Sequence, residues 1–182
     1  NQDLARAVEK LRNISINSLS AEQQEVKARE IDASWKLLIG AGSAGTALLK
    51  QEIEKIDSAT IKDDFFKLNA TAVLWQIGKA AEADYIAKVW SSTQLDAQYN
   101  YVFYTAVEAA QTQDPKVLPL LKVVLRDNRG NLFFPLHAMH VKWPLTQEFV
   151  WGSFGSKGLP VLHETLEKSQ DSIEIKSAMK LL

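Results

Sequence analysis

The stretch Ile39-Gly-Ala-Gly-Ser-Ala-Gly-Thr-Ala-Leu-Leu-Lys-Gln-Glu52 admits two readings, and the choice between them decides the fold. Gly40, Gly42 and Gly45 match G-x-G-x-x-G, follow the apolar run Leu37–Ile39 and open a helix-like segment, the outline of a dinucleotide-binding turn. Sliding the stretch 38 residues along the chain, however, lays Ile39-Gly40 on Ile77-Gly78, Leu48 on Ile86 and Lys50 on Lys88. The pattern returns at Gln113–Leu125, 35 residues further, and at Phe154–Leu166, another 41 residues on. One nucleotide loop would not recur four times along a chain; a two-helix unit that stacks on copies of itself does. The repeat therefore takes precedence over the nucleotide turn.

Composition sets the bounds within which such a repeat must work. The 182 residues are 46% apolar, enough for one domain with a real core or a short array of repeats. Net charge is −1, with acids and bases mixed along the chain, which argues against a partner held through nucleic-acid phosphates. With no cysteine, disulfides, thiolate zinc sites and a cysteine nucleophile are excluded, although the compartment is left open between cytoplasm and export. The uncharged run Leu37–Leu49, 13 residues, is too short to span a bilayer. Because the chain begins at Asn1 rather than Met, a processed or excised piece is expected.

In chain order, a helix is expected over Asp3–Ile14, with Leu4, Val8 and Leu11 at helical spacing. Ser20-Ala-Glu-Gln23 reads as a capping box opening a long helix to Ile39, apolar at Val26, Ile31, Trp35 and Leu38. Ser43 is expected to cap the next helix, Thr46–Ile56, and Asp63 or Asp64 the one that runs to Ile77 with Phe65, Leu68, Ala72 and Trp75 inward. Residues 80–91 return as a helix. Tyr99–Tyr104 alternates partly like a strand, but the Ala-rich continuation Ala106–Ala110 favours helix. Asp114-Pro115 is a strong helix start, since Asp accepts free amides and Pro needs no donor at the first position. Pro135 and Pro144 divide the least regular part, Asn131–Gly155; Ser156 opens a helix through Leu166, and Asp171-Ser-Ile-Glu174 caps a last one.

A helix ending in Ile-Gly, a short turn and a helix reading x-x-Leu-Pro-x-Leu resembles the HEAT repeats, including their short bacterial form. Trp75-Gln-Ile-Gly78 with Tyr85-Ile86, Gln113-Asp114-Pro115 with Leu118–Leu121, and Lys157–Leu162 with Leu166 carry the resemblance, which covers Ala33 to Leu182. It implies an all-α fold: a right-handed α-α superhelix of about four stacked two-helix repeats over 33–170, after N-terminal capping helices in 1–32. Residues 171–182 then form the first helix of a further, incomplete repeat, and continuation beyond Leu182 is expected. The family builds its inner surface from second helices and uses it as a partner-binding scaffold. The expected function is accordingly non-catalytic protein binding, to another protein or another domain of the same chain. Two alternatives stand beside it: an enzyme on the same architecture, as in the HEAT-like DNA glycosylases and bilin lyases, and a structural segment of a larger protein.

Tyr101 and Tyr104 share a helical face and offer the amphipathic surface favoured at binding hot spots. Lys50, Lys88, Lys122 and Arg126 fall on second helices as a possible basic ladder, diluted by Glu54, Glu164 and Glu167. Trp151 belongs to an aromatic cluster with Phe133, Phe134, Trp143, Phe149 and Phe154, either an apolar pocket or the filling of an irregular junction. Trp90 and Tyr101 near Glu108 are the nearest approach to a glycosylase-like arrangement. The binding candidates are thus Trp90, Tyr101, Tyr104, Lys122, Arg126 and Trp151. His137 and His140, at i and i+3, could start a metal site with His163 or Glu164, but two ligands fall short of the three or four a site needs, so helix packing is the expected role. Neither G-x-S-x-G nor a P-loop is present, and neither a cofactor nor a catalytic residue is expected. Asn13-Ile-Ser15 and Asn69-Ala-Thr71 fit glycosylation sequons, the second inside an expected helix.

Overall fold

The computed structural model describes residues 2–13, 21–57, 60–93, 100–126 and 147–182. Among these residues the regular structure is helical throughout, and no strand occurs. Tyr101 and Phe103 lie on a helix, so the Ala-rich continuation prevails over the local alternation, as burial of Ala106, Ala109 and Ala110 requires. The chain divides into two compact units, Asn1–Lys79 and Ala80–Leu182.

In the N-terminal unit, α1 (Gln2–Arg12), α2 (Ala21–Gly40), α3 (Ser43–Glu54) and α4 (Ile61–Gly78) pack so that each helix touches the other three. Leu4, Ala7, Val8 and Leu11 form the buried stripe of α1, and full burial of a large apolar side chain such as Leu11 contributes roughly 1.5–3 kcal/mol. Arg12 ties three helices together. Its Nη2 donates to Glu52 Oε2 at 3.0 Å, and its guanidinium lies 4.8 Å from the Phe66 ring centroid. On α2 the stripe turns inward through Ser34 and Leu38, leaving Val26 55% exposed, one position round from the helix face that Lys27, Glu30 and Ile31 share. Val26 is therefore not core. The cap of α4 is Thr60 rather than Asp63 or Asp64: its Oγ1 accepts from the Asp63 amide at 3.1 Å and donates back to the Asp63 carboxylate. Asp64 is instead buried, with Lys67 Nζ 3.8 Å away. Inside α4, Asn69 is fully buried, and its Nδ2 donates to the Phe65 carbonyl at 2.9 Å.

The glycine-rich stretch is the α2–α3 turn. Gly42 holds φ 56° and ψ −123°, a positive-φ conformation that favours glycine, although Lys79 adopts a similar one at φ 48° and ψ −132°. Gly45 allows backbone approach between the helices, since a Cβ there would stand 2.3 Å from the Leu38 carbonyl oxygen. Gly40 meets nothing within 4 Å. Ser43 does not cap α3 but is its first residue, with Gly42 at the capping position and no side-chain cap bond.

The C-terminal unit contains α5 (Ala83–Ser91), α6 (Asn100–Thr112), α7 (Leu118–Val124), α8 (Gln147–Phe154), α9 (Leu159–Lys168) and α10 (Ser172–Leu181). Here helices pack two apart in order: α5 on α7, α6 on α8, and α8 on α10, with α6 also against α7 and α9 against α10. Asp114 Oδ1 accepts from the Lys116 amide at 2.9 Å, and Asp171 Oδ1 from the Ile173 amide at 2.8 Å, so both expected caps are in place. Ser156 does not open a helix directly. A 3₁₀ turn, Gly155–Gly158, precedes α9, and Gly158 lies against the Trp151 ring, which would stand 2.8 Å from an added Cβ.

Among the described residues, positive φ occurs at Gly42, Lys79, Gln113 and Gly155, at 56°, 48°, 52° and 74°. Each sits in the turn that joins α2 to α3, α4 to α5, α6 to α7 or α8 to α9. The last three turns continue as short 3₁₀ segments, Lys79–Glu82, Pro115–Val117 and Gly155–Gly158.

Candidate functional site

In the C-terminal unit, α5 and α7 pack together beside a cleft of about 470 Å³, to whose lining α10 contributes Glu174. Its apolar lining is Ala87, Pro119 and Val123; its cations are Lys88, Lys122 and Arg126. The spacing explains the grouping. Lys88 stands exposed on α5 beside the buried Ala87, while Pro119, Lys122, Val123 and Arg126 follow one another at i+3 and i+4 along α7 and just past its end. Arg126 Nη1 donates to the Ser91 carbonyl at 3.0 Å, so the guanidinium satisfies an otherwise open carbonyl at the end of α5 and is held at the cleft. Glu174 is the carboxylate of this lining, and one of its oxygens accepts from Ser169 Oγ at 2.7 Å.

Lys122 acts beyond the cleft. The Glu164 carboxyl is held below its ordinary pKa first by its hydrogen bond to Lys168, at 3.0 Å, then by the charges of Lys168 and Lys122. Glu164 is thus an ionised partner of α9's own lysine, and Lys168 is correspondingly raised by that bond.

Of the six binding candidates, the structure brings Lys122 and Arg126 together, with Lys88 of the basic ladder beside them. Tyr104 is half-buried on α6. Tyr101 lies on α6, its side chain outside the described residues. Trp90 is fully buried, so it is a core residue of α5 and is closed to a nucleobase; Glu108 of that arrangement is exposed. Trp151 is 4% exposed and lines a smaller hollow of about 270 Å³ with Leu159, Leu162 and Leu181. Phe154 is buried in the core and Phe149 half-buried, whereas Phe133, Phe134, Trp143, His137 and His140 lie outside the described residues, as does Ser20 of the capping box. His163 and Glu164 are exposed, and the described residues hold no group of three metal-ligating side chains.

Ser177 and Lys180 on α10 have the S-x-x-K spacing of a serine nucleophile and its base, which a motif scan would find. Ser177 is buried and Lys180 Nζ is ion-paired with Glu148, so neither is presented for that chemistry. The Lys88–Ala87 contribution to the cleft was legible only as half a basic ladder, because the apolar lining depends on how α5 meets α7. No described helix is long and apolar enough to cross a membrane. Comparison with protein-family models, curated proteins and solved structures finds no match.

Proposed function

We propose that the chain is a HEAT-type α-solenoid that acts as a non-catalytic scaffold, holding another protein, or another domain of its own chain, on the face of its second helices. The observation that carries this reading is the turn with one positive-φ residue, which recurs between α2 and α3, α4 and α5, α6 and α7, and α8 and α9. Packing in the C-terminal unit supports it as well. Placing α6 on α8 and α8 on α10 sets first helices on first helices, and α5 on α7 sets one second helix on the next, the pattern of stacked pairs. The cleft on α5 and α7 falls on second helices, where the resemblance to HEAT repeats puts the partner.

The test is affinity capture from the source cell's lysate with three proteins: the native chain, Lys122→Glu/Arg126→Glu, and Lys36→Glu on the exposed side of α2 as control. Circular dichroism first verifies that all three are folded. A protein held by the native chain and the control but lost by the double variant is expected. Equal capture by all three would move the contact off the second helices, and no specific capture would sink the scaffold.

A further inference from the structure

The α5–α7 cleft has a chemistry of its own. Three cations stand around it against one carboxylate, and that carboxylate already accepts a hydrogen bond from Ser169. Lys88 is exposed and has no hydrogen-bond or ion-pair partner among the described residues. Asp84 precedes it by one helical turn, yet the two form no ion pair there. Arg126 uses one N–H on Ser91, and the rest of its donor fork is unengaged by described residues. Between these charges the apolar lining is the exposed ring of Pro119 with the nearly buried Ala87 and Val123 beneath it. At about 470 Å³ the cleft falls within the range of sites that enclose a small ligand or a few side chains.

From this arrangement we infer that the cleft seats an acidic peptide segment of the partner, with an apolar side chain on Ala87, Pro119 and Val123 and flanking carboxylates against Lys88, Lys122 and Arg126. The inference rests on the scaffold reading and names the chemistry of what the scaffold holds. Arginine suits this role because its planar fork meets a carboxylate through two parallel bonds. An acidic peptide fits better than a nucleic acid. The cations are confined to one short cleft, and a chain of net charge −1 lacks the extended basic excess that a long polyanion needs.

Fluorescence anisotropy on the whole chain tests the seat directly. The probe is a labelled peptide bearing Asp-Glu-Leu-Glu-Asp between Gly-Ser flanks, compared with its Asn-Gln-Leu-Gln-Asn counterpart, an Ala-for-Leu version and a single-stranded oligonucleotide. The acidic peptide is expected to bind roughly tenfold or more tightly than the neutral one, to weaken as salt is raised, and to lose part of its affinity without the leucine. Lys88→Glu, which removes no internal bond, and Lys122→Glu/Arg126→Glu should each cost roughly tenfold, while Lys122→Arg should keep the affinity. Equal binding of acidic and neutral peptides, indifference to Lys88→Glu, or tighter binding of the oligonucleotide would overturn the inference. The scaffold reading fails separately: a partner captured from lysate through Lys122 and Arg126 by a chain that ignores the acidic peptide keeps the scaffold and removes this ligand.

Discussion

The α2–α3 and α6–α7 turns solve one problem with different residues. Both reverse the chain through a single positive-φ residue, Gly42 in one and Gln113 in the other. The first relies on glycine twice, for the backbone conformation at 42 and for the approach of Gly45 to the Leu38 carbonyl. The second tolerates a side chain at its left-handed position and spends its specificity on the next two residues, where Asp114 caps and Pro115 begins the helix. Two of the three glycines in a pattern that looks like a ligand motif, Gly42 and Gly45, thus have a backbone or steric reason of their own, and Gly40 has none. The backbone turn is the shared feature, and the residues that achieve it differ.

That comparison can be broken at its strongest point first. Gly45→Ala should destabilise the chain by about 2–3 kcal/mol in chemical denaturation, because a backbone oxygen cannot move aside for a methyl group. A loss of a few tenths would mean that α2 and α3 are not in such close approach. Gly42→Ala meets no neighbour within 4 Å, so its cost is conformational alone, about 1–2 kcal/mol, and the same melts would read it. In the other turn, Asp114→Ala should lose about 1 kcal/mol as the Lys116 amide is left without its acceptor, while Asp114→Asn should recover most of it. The smallest effect has the opposite sign. Gly40→Ala, in open helical surroundings, should be neutral or stabilising by a few tenths of a kcal/mol. A nucleotide-binding turn would give a different ranking, with ligand binding rather than stability following the three glycines.

Much of the helical order was legible because it rests on local chemistry. The caps at Asp114 and Asp171 depend on side chains within three residues of the amides they serve, and helical spacing carried α1 and α5. What local chemistry could not decide was which neighbour wins when two residues compete. Thr60 takes the cap of α4 because its hydroxyl both accepts and donates, while Asp64, buried beside Lys67, is drawn inward. Val26 has the right type for the core but lies one position off the face that α1 and α4 cover. The site shows the same limit. Lys122 and Arg126 are neighbours by helical periodicity alone, yet Trp90 could be placed in the core, and Lys88 at the cleft, only by the packing of α5 on α7.

The buried amide of Asn69 has a consequence for the order of events in the life of the chain. Its sequon, Asn69-Ala-Thr71, lies wholly inside α4, with Asn69 and Thr71 both closed to solvent, the Asn69 amide nitrogen donating to the Phe65 carbonyl and the Thr71 hydroxyl to the Leu68 carbonyl. An oligosaccharide could join that nitrogen only while α4 is still unfolded, and once there it would be too bulky to follow the helix inward. Sugar at Asn69 would therefore mark molecules that never matured, whereas Asn13, exposed at the end of α1, could carry it in the finished protein.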